Sequence, residues 1–269
     1  MNNIPDQTGE TDTQGKFLSF SPGRSLFFKI NILLKAFISI TVLTIWSVIM
    51  LLVAIVTLFR ARRLYNEYLA KWLARFILWQ WDIKVIAHRK GVIPQGQVIY
   101  ISNHSSTIDI FAVLSLGLVR CRYFLFGRLR RIIPLGIIAT VMGTFFTFPQ
   151  TQPDKRVRVF KNADRTLRRT GESVYLSPEG KRVTTGNIGH FNKGAFHLAT
   201  SLKVPIIPFY IEIPGHIDPG SGIDAEPGTI HIHFEDPVPT ADWKLDDLIE
   251  NKEKVRGLFL DYHRKYGSR

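Results

Sequence analysis

Cysteine is almost absent from this sequence: Cys121 is the only one in 269 residues. A single thiol excludes an internal disulfide and a cysteine-rich metal site, and it fits a reducing compartment. Following an apolar run, Cys121 reads as a core thiol. Acidic residues are also scarce, 22 against 35 lysines and arginines, which leaves a formal net charge of +13. That excess needs an anionic partner or surface. No nucleic-acid-binding signature is present, so anionic membrane lipids are the expected partner and nucleic acid is not. No charge interrupts the stretch from Ala36 to Phe59, which is long enough to cross a bilayer with some tilt. No small-residue cleavage site follows it, so it does not read as a signal peptide. The chain lacks Gly-x-Ser-x-Gly, and with it one common setting for a nucleophilic serine. Outside the pair His231 and His233 no histidine or carboxylate cluster has ligand spacing, so no metal is expected.

What is present falls into three parts. Residues 1–22 are polar and without periodicity, which predicts a disordered tail. Residues 23–81 hold the apolar run and then a basic, tryptophan-rich stretch over 62–81. There Arg62, Arg63, Lys71 and Arg75 alternate with Leu64, Tyr65, Leu69, Trp72, Phe76, Trp79 and Trp81. Such a pattern predicts an amphipathic helix in the membrane interface. A spanning helix and a hairpin entering one leaflet are both compatible with the sequence. Cations on the two sides of the run are nearly balanced and lean toward a cytoplasmic C-terminal domain. Over 82–269, short strand-like and helix-like segments alternate, which predicts an α/β sheet domain. These include strands at Arg122–Phe126 and Val204–Ile213, and helices at Arg128–Val141, Pro153–Thr170 and Trp243–Tyr266.

The most informative stretch is VIYISNHSSTIDIF, residues 98–111. It reads as a buried strand, a tight turn and a helix start, with Ser105 or Ser106 as the N-cap. His104 then stands at the carboxyl end of a strand, where open α/β sheets bind ligands. Asp109 follows across the turn and can reach back to the imidazole. The same spacing recurs as His231 and Asp236 in HIHFED. That copy lies along a strand, where residues five apart point to opposite faces and should not pair. A histidine oriented by a carboxylate is a general base in need of a nucleophile. With no serine elbow, the nucleophile is expected to be a hydroxyl on the substrate.

A second constellation is SPEGKRVTTGNIGHFNKG, 177–194. Its glycines and proline predict an open loop with backbone N–H groups free for an anion. Lys181, Arg182 and Lys193 add positive charge, and an arginine can grip a phosphate with two parallel hydrogen bonds. A solvated basic loop is the alternative for this segment taken alone.

In combination, NHSSTID (103–109), SPEGKR (177–182), FNKGAFHLA (191–199) and VPIIPF (204–209) resemble the lysophosphatidic acid acyltransferases of the glycerolipid acyltransferase superfamily. The resemblance runs from about Trp81 to Phe209. It implies a single mixed-sheet α/β acyltransferase domain with an N-terminal membrane-anchoring helical segment. It also implies a fatty acyl transfer from acyl-CoA or acyl carrier protein to the hydroxyl of a lyso-lipid, with no cofactor. His104 would be the general base and Asp109 its orienting partner. Glu179, Gly180, Lys181 and Arg182 would hold the acceptor's phosphate end, and Pro205 and Ile206 would lie near the acyl or acceptor site. Two departures stand out. Phe148 and Pro149 occupy the place of an arginine in the family's second block, and Lys181 replaces a threonine. Lys181, Lys155 or Arg156 could supply the missing cation, or the acceptor is another lyso-lipid such as a lyso-aminolipid. A non-catalytic binder of anionic lipid and a hydrolase that activates water through His104 are the rival readings.

Overall fold

The computed structural model describes residues 23, 25–218 and 225–267. The tail expected over 1–22 lies outside the described residues. The first helix, α1 (Leu26–Val56), starts ten residues before the uncharged run and takes in Lys29 and Lys35. Ser25 caps it, its Oγ accepting the Phe28 N–H at 3.2 Å. Lys35 is accommodated by an ion pair with Asp82, 2.7 Å away.

The amphipathic segment predicted over 62–81 is built from a π-helical stretch, Leu64–Ala70, and the helix α2 (Lys71–Gln80). The wide π turn aims two buried polar side chains into the domain. Asn66 Nδ2 donates to the Cys121 and Met142 carbonyls, and Glu67 accepts the Arg120 N–H at 2.9 Å. α1 and α2 run back to back. The Trp46 indole donates to the Leu69 carbonyl, and Ser39 bonds both Gln80 and Trp81.

Seven strands form one sheet: β1 (Ile83–Arg89), β2 (Ile99–Ser102), β3 (Cys121–Phe126), β4 (Phe145–Thr147), β5 (Ser173–Leu176), β6 (Ile206–Glu212) and β7 (Gly228–Phe234). Their order is β1-β7-β6-β2-β5-β3-β4. The five strands from β6 to β4 are parallel; β7 pairs antiparallel with β6, and β1 parallel with β7. The mixed sheet is the architecture expected.

Alternating residues of the central strands feed two cores, as a pleated strand requires. Tyr100, Tyr123, Tyr175 and Phe209 point to one face, covered by α1, α2, α3 (Asp109–Leu116) and α4 (Ile133–Val141). Ile99, Ile101, Val174 and Leu176 point to the other, covered by α5 (Pro153–Thr170), α6 (Gly194–Leu202) and α7 (Leu248–Tyr266). Two elements differ from the sequence expectation. The helix predicted over Arg128–Val141 is broken into a 3-10 turn, Gly127–Arg131, and α4, because Ile132 is extended ahead of Pro134 at the helix start. The C-terminal helix starts at Leu248, not Trp243.

Candidate active site

The strand β2 is short because Ser102 is its last paired residue, and the chain then turns sharply. Asn103 pins that turn to the neighbouring strand: its side chain donates to the Ile211 carbonyl at 2.9 Å and accepts the Ile211 N–H at 2.8 Å. The next residue, His104, stands beyond the carboxyl edge of the sheet. Its Nδ1 lies 2.7 Å from Asp109 Oδ2, and the same oxygen accepts the backbone N–H groups of Ser105 (2.9 Å) and Ser106 (3.0 Å). The capping expected of Ser105 or Ser106 is therefore reversed. The helix residue Asp109 caps the turn, and Ser106 Oγ instead accepts the Ile108 N–H and bonds Asp218.

Asp109 is 1 % exposed, whereas the His104 side chain remains 31 % exposed. An acceptor-only carboxylate at Nδ1 favours the tautomer that carries its proton there, which leaves the Nε2 lone pair free. His104 lines a small cleft, about 90 Å³, with Asn103, Glu179, Asn187, Tyr210, Glu212 and His263. Burial pushes the Tyr210 phenol up, so it stays neutral and bonds His263 Nδ1 at 2.8 Å.

The loop after β5 wraps this turn. Glu179 is buried: one carboxylate oxygen accepts the His104 N–H at 2.6 Å, the other the Gly189 N–H at 2.7 Å. Burial pushes its carboxyl up, and the two N–H groups pull against that. Glu179 thus fastens the loop to the histidine. Both of its oxygens are engaged by backbone donors of the protein itself. Gly180 has φ +67°, and a Cβ there would meet Asn192 Nδ2 at 2.7 Å, so both backbone and packing demand glycine. Asn192 Nδ2 closes the loop from below, donating to the Pro178 and Glu179 carbonyls. Arg182 is exposed and reaches across, donating to Thr107 Oγ1 at 2.7 Å, which sets its guanidinium over the His104–Asp109 turn. Lys181 beside it is exposed.

Pro205 and Ile206 sit elsewhere. Ile206 is fully buried, is level with Ile99 at the start of β2, and bridges Val238. His104 lies past the other end of β2, five residues along, or about 16 Å at 3.3 Å per residue. The far end of β6 reaches the cleft, through Ile211 and Glu212, with Ile213 just beyond it. Pro205 and Ile206 thus stand at the opposite end of β6 from the cleft.

Sequence reasoning also passed over Asn103, Asn192, Glu212, Tyr210 and His263. Asn103 and Asn192 stood inside quoted motifs, and a polar residue next to a turn was signal enough. Tyr210 and His263 are 53 residues apart, and nothing local links them. The second His-x4-Asp copy behaves as a strand should: His231 Nδ1 faces His88 Nε2 at 2.9 Å across β1 and β7, not Asp236.

A family model described as Acyltransferase matches residues 84–212. A 1-acyl-sn-glycerol-3-phosphate acyltransferase of Cocos nucifera is 26 % identical over 238 residues, covering 84 % of this chain and 72 % of that protein. The enzyme of that name from Saccharomyces cerevisiae is 25 % identical over 212 residues, covering 75 % and 69 %. The chloroplastic LPAT1 of Arabidopsis thaliana is 30 % identical over 181 residues, 66 % of this chain, and the match spans about half (49 %) of that protein's length. Among solved structures, the acyltransferase PlsC of Thermotoga maritima shares the fold, with TM-score 0.68 and 19 % identity over 88 % of this chain and 97 % of that one.

Proposed function

We propose, from its similarity to acyltransferases, that the chain moves a fatty acyl group from a thioester to the free hydroxyl of 1-acylglycerol-3-phosphate, forming phosphatidic acid. The observation that carries the reading is the His104–Asp109 pair at 2.7 Å, open to the cleft and overhung by Arg182. The relatives' names supply the acceptor; the geometry supplies a base and a cation for it.

His104 Nε2 takes the proton of the acceptor hydroxyl as its oxygen attacks the thioester carbonyl. The C–O bond forms, the C–S bond breaks, and the imidazolium returns the proton to the departing thiolate. Asp109 holds the ring's orientation and stabilises the imidazolium. Glu179 acts through His104 by fixing its backbone. Arg182 and Lys181 face the acceptor phosphate, and acyl-CoA or acyl carrier protein is the donor. No cofactor enters.

The substrate lives in a bilayer, and the fold has a surface to meet it. Ile32, Ser39, Ser47, Met50 and Ala54 are buried along α1, a docked length of about 33 Å at 1.5 Å per residue. The opposite side of α1 exposes Leu33, Phe37, Ile40, Ile45 and Leu52, continued by Trp72, Phe76 and Trp79 of α2. A helix docked over that length favours entry into one leaflet over a free-standing span, with the domain on the cytoplasmic face.

A second acceptor class, a lyso-aminolipid, is favoured by one feature. Phe148 and Pro149 follow β4 where a cation would serve a phosphate, while the carboxylate of Glu212 lines the cleft. Membranes containing the protein, given palmitoyl-CoA or palmitoyl carrier protein and a panel of lyso-lipids, decide between them. Phosphatidic acid as the main product supports the first reading. An acylated aminolipid supports the second, and free fatty acid alone would overturn both.

A further inference from the structure

The helix α5 is the most basic element of the fold and plays no part in the site. Lys155, Arg158, Lys161, Arg165 and Arg169 are all exposed, and their spacing of three or four residues aligns them on one face. From Lys155 to Arg169 the row is about 21 Å long at 1.5 Å per residue. The opposite face buries Ala163 and Leu167. Arg168 at the margin is neutralised by Asp164, but among the described residues Arg158, Lys161, Arg165 and Arg169 form no ion pair.

Such a row repels itself unless something anionic covers it. A bilayer on the apolar side of the fold is badly placed to do so, because α5 lies on the sheet face away from α1 and α2, which carry the exposed apolar side chains. The row also starts at the edge of the sheet that carries the site. α5 follows β4, whose carboxyl end lies on the same side as that of β2. Just before the helix, Gln150 donates to Asn192, which holds the Glu179 carbonyl, and Glu179 holds the His104 N–H.

We infer that the exposed face of α5 docks an acidic carrier protein that presents the acyl thioester to His104 over the edge of the sheet. A row of this length fits the acidic face of a folded protein; the phosphates of acyl-CoA would cover only one end. The inference rests on the acyl-transfer reading and names its donor.

The test is a triple variant, Arg158→Glu/Lys161→Glu/Arg165→Glu, assayed with two donors and by direct binding. With palmitoylated bacterial acyl carrier protein, KM is expected to rise about tenfold or more, since rim charges act on encounter. With palmitoyl-CoA, kcat/KM is expected to stay within about twofold. Surface plasmon resonance of the carrier protein lacking an acyl group reads docking without catalysis. Binding that weakens in the variant and with added salt on the wild type supports the inference. Equal binding by both proteins overturns it, as does an equal loss with both donors or a loss confined to anionic vesicles. The neutral set Arg158→Gln/Lys161→Gln/Arg165→Gln gives the same readings if charge reversal unfolds the helix. Absence of transfer from either donor in the wild type would count against the acyl-transfer reading, while the binding measurement still decides the docking face.

Discussion

Two stretches of this chain carry a histidine and, five residues on, an aspartate, and the structure treats them oppositely. In the turn between β2 and α3, the imidazole of His104 and the carboxylate of Asp109 are 2.7 Å apart. In the middle of β7, His231 turns to His88 across the strand pair, and His233 two residues on bonds Glu212 at 3.0 Å. The residues and spacing are the same; the backbone differs. A turn into a helix folds five residues back on themselves, whereas a strand sends the fifth to the other face. The first pair also has neighbours that hold it: Asn103 anchors one side of the turn and Glu179 the other. Spacing becomes chemistry only when the chain between the residues is bent and the bend is braced.

Substitutions in the two copies should therefore diverge. The largest effect is expected from His104→Ala, which should reduce acyl transfer about 10³- to 10⁴-fold, the scale of a lost general base. His231→Ala should leave turnover within about twofold. Full activity in His104→Ala, measured as product per mole of folded protein, would sink the assignment. Asp109→Asn keeps the shape but withdraws the negative charge from Nδ1 and favours the wrong tautomer, and a loss in kcat approaching that of His104→Ala, on the order of 10³- to 10⁴-fold, is expected. Asp236→Asn should be silent in the same assay.

Glu179→Gln probes the brace. Hydrogen bonds to a charged group contribute roughly 1.5–3 kcal/mol each, and glutamine can offer an oxygen to only one of the two N–H groups. A fall of about tenfold in kcat with little change in KM is expected, because the residue positions His104 without touching substrate. Arg182→Ala should do the reverse, raising KM for lysophosphatidic acid about tenfold with a smaller change in kcat. A matching pattern in both variants would remove the distinction between brace and ligand.

The smallest effect belongs to the β7 copy and concerns stability. Burial pushes the Glu235 carboxyl up, but hydrogen bonds from Lys90 and Tyr266 outweigh it and hold the group below its ordinary value of 4.5. The native state thus favours the ionised form. Its contribution is present above 4.5 and is lost as the pH falls through the lower folded value. Between about pH 6 and 3, the melting temperature of the wild type should fall more steeply than that of Glu235→Gln. Parallel curves would show that this clamp is not linked to folding.

Much of this was legible in the chain. The β-branched run before His104, the polar turn and the apolar-periodic segment after it foretold strand, turn and helix. The alternation in HIHFED likewise foretold a strand that keeps its histidine and aspartate apart. An α/β sheet followed from alternating short segments, while its single mixed arrangement was implied only by the motifs' resemblance to acyltransferases. The capping residue was misjudged because serine is the commoner cap, while here an aspartate already inside the helix bends back to both preceding N–H groups. That Pro205 and Ile206 stand at the end of β6 away from His104 was not legible, because a motif names a strand without saying which end of it faces a neighbour. Nothing local showed that the Glu179 carboxylate would be buried against two backbone donors.

The sequence by itself determined the periodicities, the long apolar helix, the charge excess and the one bent histidine–aspartate spacing, since all of these depend on residues close together in the chain. Only the tertiary structure decided that Ile211 and not Ile206 stands beside His104, that Glu179 braces His104, and that α1 lies docked along the domain. Those outcomes depend on strand order, register and burial. They are set by contacts between segments tens to more than a hundred residues apart, such as Asn103 with Ile211, 108 positions away, and no local pattern carries them.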